Sequence, residues 1–189
     1  MGHRTNMCPA GYLSLHSPTP ADGGHRGGSA IFCRRDVPFS ALRLQTPLQA
    51  VAGRVYLERM YTVCSLYLPP SEDISRQALE DLLNELPRPV ILLGDMNARH
   101  HLWGDCTHNT RGTMIAKLME ESDLVVMNTG DPTHFHEQTG TQSVIDLTIC
   151  SPAAALDFSL DVLGSLRGSD HYPITLQTLT SESAACLPK

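Results

Sequence analysis

The segment Pro89–Leu93 restricts the fold most, because it is an unbroken apolar run of the kind found in strands buried on both faces. The run ends abruptly in Gly94–Asn97, so that the carboxylate of Asp95 and the amide of Asn97 follow a buried strand. In open α/β sheets, ligand sites lie at that end of the strands, which predicts a functional site here. The alternative is an ordinary turn, in which Asp and Asn are common.

Other strand and helix patterns surround this run. Strands are predicted at 29–34, 50–57, 59–68, 124–127, 144–150, 161–163 and 174–179. One helix has Ser71 as its predicted N-cap and Leu79, Leu82, Leu83 and Leu86 as its apolar stripe, and a second helix is predicted over 110–122. Residues 21–28 and the insert 130–140 are predicted loops, and 181–189 a loose tail. The 189 residues suit one globular domain, which we place at 1–180.

The charge of the chain argues against a strongly basic nucleic-acid binder. The formal net charge is −6 and the pI is near 5.8. DNA is still an admissible substrate, because the field in a cleft can differ from the net charge. Of the 14 basic residues, 12 are Arg, which suits bidentate contact with phosphate or simply follows from base composition.

The six cysteines form no CxxC pair, so neither a zinc ribbon nor a disulfide framework is indicated. Cysteines that stay reduced predict an intracellular protein, in either the nucleus or the cytoplasm. The sequence also shows no apolar leader and no membrane-spanning segment, so no membrane partner is expected.

Three further positions carry candidate chemistry. His171 follows Ser169 and Asp170, and a histidine beside an acid can act as a general acid or base. Its predicted partner is Asp146, which interrupts an otherwise apolar strand and therefore needs a polar contact. Tyr67 ends a strand before Pro-Pro, where its hydroxyl could reach a phosphate. Each position also has a purely structural explanation. Asp170 and His171 could form a capped turn, Asp146 could be an exposed strand position, and Tyr67 could be a half-buried core tyrosine.

The remaining histidines flank aromatic residues. His100 and His108 lie on either side of Trp103 without the HExxH spacing of a zinc site, and could line a groove beside a phosphate backbone. His134 and its neighbours in the insert either stack on bases or form a surface loop.

Four motifs occur in an order and spacing that resemble the endonuclease/exonuclease/phosphatase superfamily. They are Ser-Leu-Tyr67-Leu-Pro-Pro, Leu-Leu-Gly-Asp95-Met-Asn97, Val-Ile-Asp146-Leu-Thr and Gly-Ser-Asp170-His171-Tyr-Pro. Shorter stretches resemble more narrowly the endonuclease domain of non-LTR retrotransposons, namely 27–31, 97–105, 109–112 and 125–128. The resemblance implies an α/β (α+β) fold, a four-layer sandwich of two mostly antiparallel sheets flanked by helices.

The same resemblance implies catalytic roles. Asp95 would orient and deprotonate the attacking water, helped by Asn97. His171, held by Asp146, would stabilise or protonate the phosphoryl group, and Tyr67 would contact the phosphate.

It also implies a metal and a substrate. Asp95 and Asp170 would help to hold Mg²⁺, with Mn²⁺ as an alternative, and no small-molecule cofactor is expected. DNA would be the substrate, and a reverse transcriptase domain of the parent element a partner. The predicted substrate-binding residues are Arg99, His100, Trp103, His134 and Ser143.

The sequence departs from the superfamily in one respect. Members begin with a strand carrying an Asn, and a later strand ends in Gln-Glu, whose Glu is the principal metal ligand. Neither is found here, since Glu58 does not fit the strand order. We therefore expect a domain incomplete at its N-terminus, lacking the first strands, whose nicking is weak or absent until an upstream segment supplies the Glu. A DNA-nicking endonuclease, a small-molecule phosphoesterase and a remnant without catalysis all stay open.

Overall fold

The computed structural model describes residues 8–17 and 28–179. Twelve strands occur in these residues: β1 (Tyr12–His16), β2 (Ala30–Arg34), β3 (Phe39–Leu42), β4 (Gln49–Tyr56), β5 (Met60–Tyr67), β6 (Val90–Asp95), β7 (Val125–Val126), β8 (His134–His136), β9 (Thr141–Ser143), β10 (Asp146–Cys150), β11 (Phe158–Val162) and β12 (Ile174–Thr178). The helices are α1 (Arg76–Glu85), α2 (Thr110–Glu121) and α3 (Pro152–Ala155), and a 3₁₀ turn spans His101–Trp103. The predicted loop at 21–28, apart from Gly28, and the tail at 181–189 lie outside the described residues.

The main sheet contains six strands in the order β3-β4-β5-β6-β10-β7. Only β5 and β6 run parallel, joined by the crossover through α1, and the other neighbours are antiparallel. The apolar run that the sequence singled out is β6, which lies inside the sheet between β5 and β10. The mixed α/β class and the mostly antiparallel sheet are therefore confirmed.

The two faces of this sheet pack against different layers. One face carries the larger core, to which α1 contributes Leu79 and Leu82, and α2 contributes Ile115, Leu118 and Met119. On the other face Tyr61 and Phe158 meet edge to face, with ring centroids 5.1 Å apart, beside Ala154 of α3. Strands β11 and β12 pair antiparallel there. The described residues thus form a helix layer, a main sheet and a two-stranded second sheet with one short helix beside it.

Two strand pairs contain strands that the sequence did not predict. Strand β1 falls within the Gly- and Pro-rich first 30 residues and pairs with the predicted strand β2 over five residue pairs. Strand β8 lies in the predicted loop 130–140 and forms a hairpin with β9, which follows that loop. Each strand of this hairpin is only three residues long. A strand of three residues is too short to show an alternating apolar pattern, and whether it forms depends on pairing with its partner strand.

The start of α1 differs from the prediction. The N-cap is Ser75, whose Oγ accepts a hydrogen bond from Ala78 N, and the predicted cap at Ser71 is wrong. Residues 71–74 stay outside the helix because the carbonyl of Glu72 accepts a hydrogen bond from Arg111 instead of starting a helical ladder. The second helix begins and ends as predicted, within one residue.

Five cysteines fall in the part of the chain that the structure describes, and all five are free thiols. Within residues 8–17 and 28–179, no helix has both the length and the apolar character needed to cross a membrane.

Candidate active site

The two predicted carboxylates meet on adjacent strands. Asp95 is the last residue of β6 and Asp146 the first of β10, and the antiparallel register pairs them directly. Side chains paired in this way point to the same face of a sheet. Gly94 has a φ of 144°, and a Cβ there would lie 1.9 Å from the carbonyl oxygen of Leu66 on β5. Glycine is therefore required for the close approach that places Asp95.

His171 reaches this pair from the loop before β12. Its Nδ1 lies 2.7 Å from Asp146 Oδ2, which is the partner predicted from the sequence. The backbone of His171 bridges to that of His134, and Tyr172 N donates to Thr133 O at 2.8 Å. The hydrogen bond from Asp146 raises the pKa of the His171 imidazole, against the opposing effect of burial. The carboxylate thus fixes the ring through Nδ1 and favours its charged form.

Asp95 is held by a tight turn. Its Oδ1 accepts a hydrogen bond from Asn97 N, and its Oδ2 one from Asn97 Nδ2, each at 3.0 Å. The same Nδ2 lies 3.2 Å from Leu68 O, and Asn97 has a φ of 47°, which Asn tolerates better than most residues. Burial raises the pKa of the Asp95 carboxyl; the Asn97 bonds oppose this, and the charge of Asp146 adds to it. The carboxylate is oriented and more basic than an exposed aspartate.

Asn109 holds the loop that follows this turn. It is the N-cap of α2, and its Oδ1 accepts hydrogen bonds from Gly112 N at 2.7 Å and from Arg99 N at 3.1 Å. Its Nδ2 donates to Asn97 O at 3.0 Å. No role was predicted for Asn109 by itself, although an Asn before a helical pattern is an N-cap signal. Through these bonds, the start of α2 fixes the backbone of Asn97.

Arg111, the second residue of α2, was also missed. Its guanidinium donates to four carbonyl oxygens, those of Leu68, Pro69, Glu72 and Met96, at 2.7 to 3.1 Å. Burial lowers the pKa of Arg111, and the charge of Asp95 is the largest opposing influence. Arg111 therefore ties the segment after β5 to the segment after β6. No sequence pattern predicts such contacts, because all of the acceptors belong to the backbone.

Two buried polar residues position the start of β10. The hydroxyl of Thr133 accepts hydrogen bonds from Ile145 N and Asp146 N, both at 3.0 Å. Asn128 donates from Nδ2 to Asp146 O at 3.0 Å and accepts from Thr148 N at 2.8 Å. These contacts satisfy backbone groups where β10 leaves its ladder. They hold the Asp146 backbone from both sides.

The hairpin brings a second histidine to the site. The ring of His134 lies 4.7 Å from that of His171, centroid to centroid, at an interplanar angle of 64°. His134 Nδ1 is 3.3 Å from Ser143 Oγ, and Nε2 is 3.8 Å from Asp170 Oδ2. Burial lowers the pKa of His134, and the charge of His171 adds to the effect. His134, Ser143 and Asp170 thus adjoin the Asp146–His171 pair.

Tyr67 and Arg99 belong to two further segments of the predicted site, the end of β5 and the chain after Asn97. Tyr67 ends β5, and its pKa is raised by burial and, less strongly, by the charges of Asp95 and Glu72. Arg99 lines a cavity of about 580 Å³ together with Asn97 and Glu72. Its Nη1 lies 3.6 Å from the buried carboxylate of Asp105.

Two residues predicted to contact a substrate lie elsewhere. Trp103 has an exposed fraction of 0% and packs in the core beneath the 3₁₀ turn, so its predicted contact with DNA is wrong. The ring of His100 packs on Trp103 at 5.3 Å, and its Nδ1 accepts from Leu102 N at 3.1 Å. His100 is thus occupied in capping the turn.

Comparison with known proteins identifies the family. A family model described as endonuclease-reverse transcriptase matches residues 61–175, which is more than half of the chain. The chain belongs to this family. The match runs from β5 to the start of β12 and so includes the carboxylate pair, the Asn97 turn and His171. It confirms the resemblance to the endonuclease/exonuclease/phosphatase superfamily and its non-LTR retrotransposon branch.

Individual relatives agree with the family assignment. The RNA-directed DNA polymerase from mobile element jockey of Drosophila melanogaster is 30% identical over 168 residues, which cover 87% of this chain and 18% of that protein. The probable polymerase from transposon X-element of the same species is 26% identical over 88% of this chain and 19% of its own length. The chain therefore spans less than a fifth of these two relatives.

A solved structure supports the fold. The endonuclease domain of TRAS1, a telomere-specific non-LTR retrotransposon, superposes with a TM-score of 0.76 at 24% sequence identity. The superposition covers 89% of this chain and 78% of that one. At this identity, the likeness shows that the two chains share a fold.

Proposed function

We propose that this member of the endonuclease-reverse transcriptase family is a Mg²⁺-dependent phosphodiesterase that nicks DNA. The observation that carries the proposal is the juxtaposition of Asp95 and Asp146 across β6 and β10, with His171 hydrogen-bonded to Asp146. A base and an imidazole acid side by side are what hydrolysis of a phosphodiester requires. The family description and the TRAS1 endonuclease domain favour DNA over a small phosphoester.

Asp95 is the proposed general base. Both of its oxygens accept hydrogen bonds from Asn97, so the carboxylate is aimed before the substrate arrives. Burial raises its pKa, which makes it a better proton acceptor than an exposed aspartate. Asp95 takes the proton of a water that attacks the phosphorus, and Asn97 holds the turn in place.

His171 is the proposed acid on the other side of the phosphorus. Asp146 holds Nδ1, so the proton on Nε2 points away from the carboxylate towards the phosphoryl group. A charged imidazole there stabilises the negative charge that develops on the phosphoryl oxygens. Tyr67, at the end of β5, is proposed to donate its hydroxyl hydrogen to the same phosphate.

The residues present fit a magnesium ion. Mg²⁺ prefers hard oxygen ligands and is usually held by one or two carboxylates, with waters and phosphate oxygens completing its shell. Asp95 and Asp170 can supply such oxygens, and we propose them as the carboxylate ligands. When bound, the ion would neutralise charge on the phosphoryl oxygens and the leaving group.

Arg99 and His134 are the proposed contacts to the DNA. Arg99 lines the cavity beside Asn97, and His134 flanks His171 on the hairpin. A guanidinium suits the flanking phosphates, since it can donate two hydrogen bonds at once. In a longer protein built like its curated relatives, a reverse transcriptase would be the partner of this domain.

Supercoiled plasmid and Mg²⁺ test the proposal. We expect slow conversion to the nicked circle, falling to background in Asp95→Ala and His171→Ala. Matched controls are Asp161→Ala and His16→Ala, whose exposed side chains lie on β11 and β1. Equal nicking by wild type and both site variants would refute the assignment. Phosphate release from inositol phosphates without nicking would instead favour a small-molecule phosphoesterase.

A further inference from the structure

The cluster around the hairpin offers a different kind of ligand set from the carboxylate pair. One ligand atom each of His134, Asp170 and His171 lies within 4.8 Å of the others. Two imidazoles and one carboxylate suit Zn²⁺, whereas Mg²⁺ prefers oxygen donors alone. The function proposed above uses His171 and Asp170 in catalysis and gives His134 only a contact to DNA, which does not explain why the two imidazoles are adjacent.

Each imidazole is already oriented by its other nitrogen. His171 Nδ1 is bonded to Asp146 Oδ2 at 2.7 Å, and His134 Nδ1 faces Ser143 Oγ at 3.3 Å. Both Nε2 atoms are thereby left as the ligating positions. Metal-binding histidines characteristically have such a partner on the second nitrogen, which fixes the ring.

The backbone beneath the cluster is also fixed. His134 and His171 form a β-bridge, and Phe135 N donates to Asp170 O at 2.8 Å. Ligands on a tetrahedral zinc lie roughly 3.3 Å apart, as follows from Zn–N bonds of about 2.0 Å. His134 Nε2 and Asp170 Oδ2 are already 3.8 Å apart, so small side-chain rotations complete the site. Asp170 is free to make them, because its side chain is 65% exposed.

We propose that His134, Asp170 and His171 form a Zn²⁺ site with an open fourth position. Zinc bound there occupies His171 Nε2, the atom that must face the phosphate. On the proposed function, Zn²⁺ is therefore an inhibitor of the Mg²⁺-dependent reaction rather than its cofactor. Zinc binding itself depends only on the three side chains and does not require that the chain cleave DNA.

Cobalt binding to the full chain tests the site without DNA. Co²⁺ replaces Zn²⁺ and gives an intense visible absorption only in a four- or five-coordinate site. We expect this absorption in wild type, displacement by one equivalent of Zn²⁺, and persistence in excess Mg²⁺. The affinity should fall on the order of 100-fold in His134→Gln and about 10-fold in Ser143→Ala, which loses only the orienting bond.

The matched control is His136→Gln, on the same hairpin, whose ring is exposed and bonded to Thr139. Its Co²⁺ affinity should equal that of wild type. Equal binding by His134→Gln and wild type would overturn the proposal, and so would an equal loss in His136→Gln. An intense near-ultraviolet thiolate band would also overturn it, since cysteine would then be the ligand. A chain that binds Co²⁺ as expected but never nicks DNA would contradict only the proposed function.

Discussion

Asn109 provides the sharpest test of how the fold builds the site, because one side chain makes three hydrogen bonds to the backbone of two segments, the loop after Asp95 and the start of α2. Replacing Asn109 by Ala removes all three at once. The bond to Gly112 N is the N-cap of α2, whose loss costs about 1 kcal/mol. The bonds to Arg99 N and Asn97 O are each worth about 1 kcal/mol. We therefore expect Asn109→Ala to lower the free energy of unfolding by about 3 kcal/mol.

A substitution series separates these contributions. Asn109→Ser keeps a cap to Gly112 N, so it should regain about 1 kcal/mol relative to Ala. It cannot reach Asn97 O, and the turn that aims Asp95 stays loose. Nicking by the Ser variant should accordingly remain as low as that of the Ala variant. Stability is measured by urea unfolding, and nicking by the plasmid assay, on the same preparations.

Two results would refute this account. If Asn109→Ser matched wild type in stability, the cap alone would matter and the bonds to the loop would contribute nothing. If Asn109→Ala lowered the free energy of unfolding by less than about 1 kcal/mol, the three hydrogen bonds would not contribute to stability as proposed. An Asn109→Asp variant adds a further check. It keeps both accepted bonds but sets a carboxylate oxygen against Asn97 O, and should lie between Ala and wild type.

Three other perturbations follow from the structure. The hydrogen bond from Asp146 raises the pKa of the His171 imidazole above its ordinary value of 6.5. The stability that this bond contributes is therefore fully present below pH 6.5 and is lost as the pH rises through the pKa of His171 in the folded state. The difference in unfolding free energy between wild type and Asp146→Asn should thus shrink as the pH rises above 6.5, and a constant difference would contradict the ion pair. Nicking by the variant should fall about 10²- to 10⁴-fold. Gly94→Ala should leave little folded protein by circular dichroism, since its Cβ would overlap Leu66 O, and a normal urea midpoint would disprove that contact. Trp103→Ala should cost about 3–5 kcal/mol in urea unfolding, whereas a residue that only contacted DNA would change DNA affinity alone.

The predicted part of the site is the part that local sequence encodes. Asp95 and Asn97 follow an apolar strand, and Asp146 interrupts one, so each is visible within a few residues of chain. The unpredicted part is the scaffold around them. Thr133 and Arg111 act on backbone groups that are distant in sequence, and no pattern of residue types marks a carbonyl as their partner.

The length of a helix or strand also decided whether the sequence predicted it. Helix α2 is twelve residues long and shows its period, so its bounds were predictable. The three-residue strands of the hairpin were not, because their pairing depends on contacts with each other and with the loop that carries His171. Trp103 was misassigned for a related reason, since an aromatic residue among histidines has the same sequence pattern whether or not a helix covers it.

The sequence by itself determined which groups are available, namely a strand-end Asp and Asn, a lone Asp in an apolar strand, and an Asp-His pair, in the order that marks the family. Only the tertiary structure decided that Asp95 and Asp146 lie opposite each other and that His171 bonds to one of them. That decision belongs to strand register, which is set by the packing of β6 between β5 and β10 and cannot be read from any one segment.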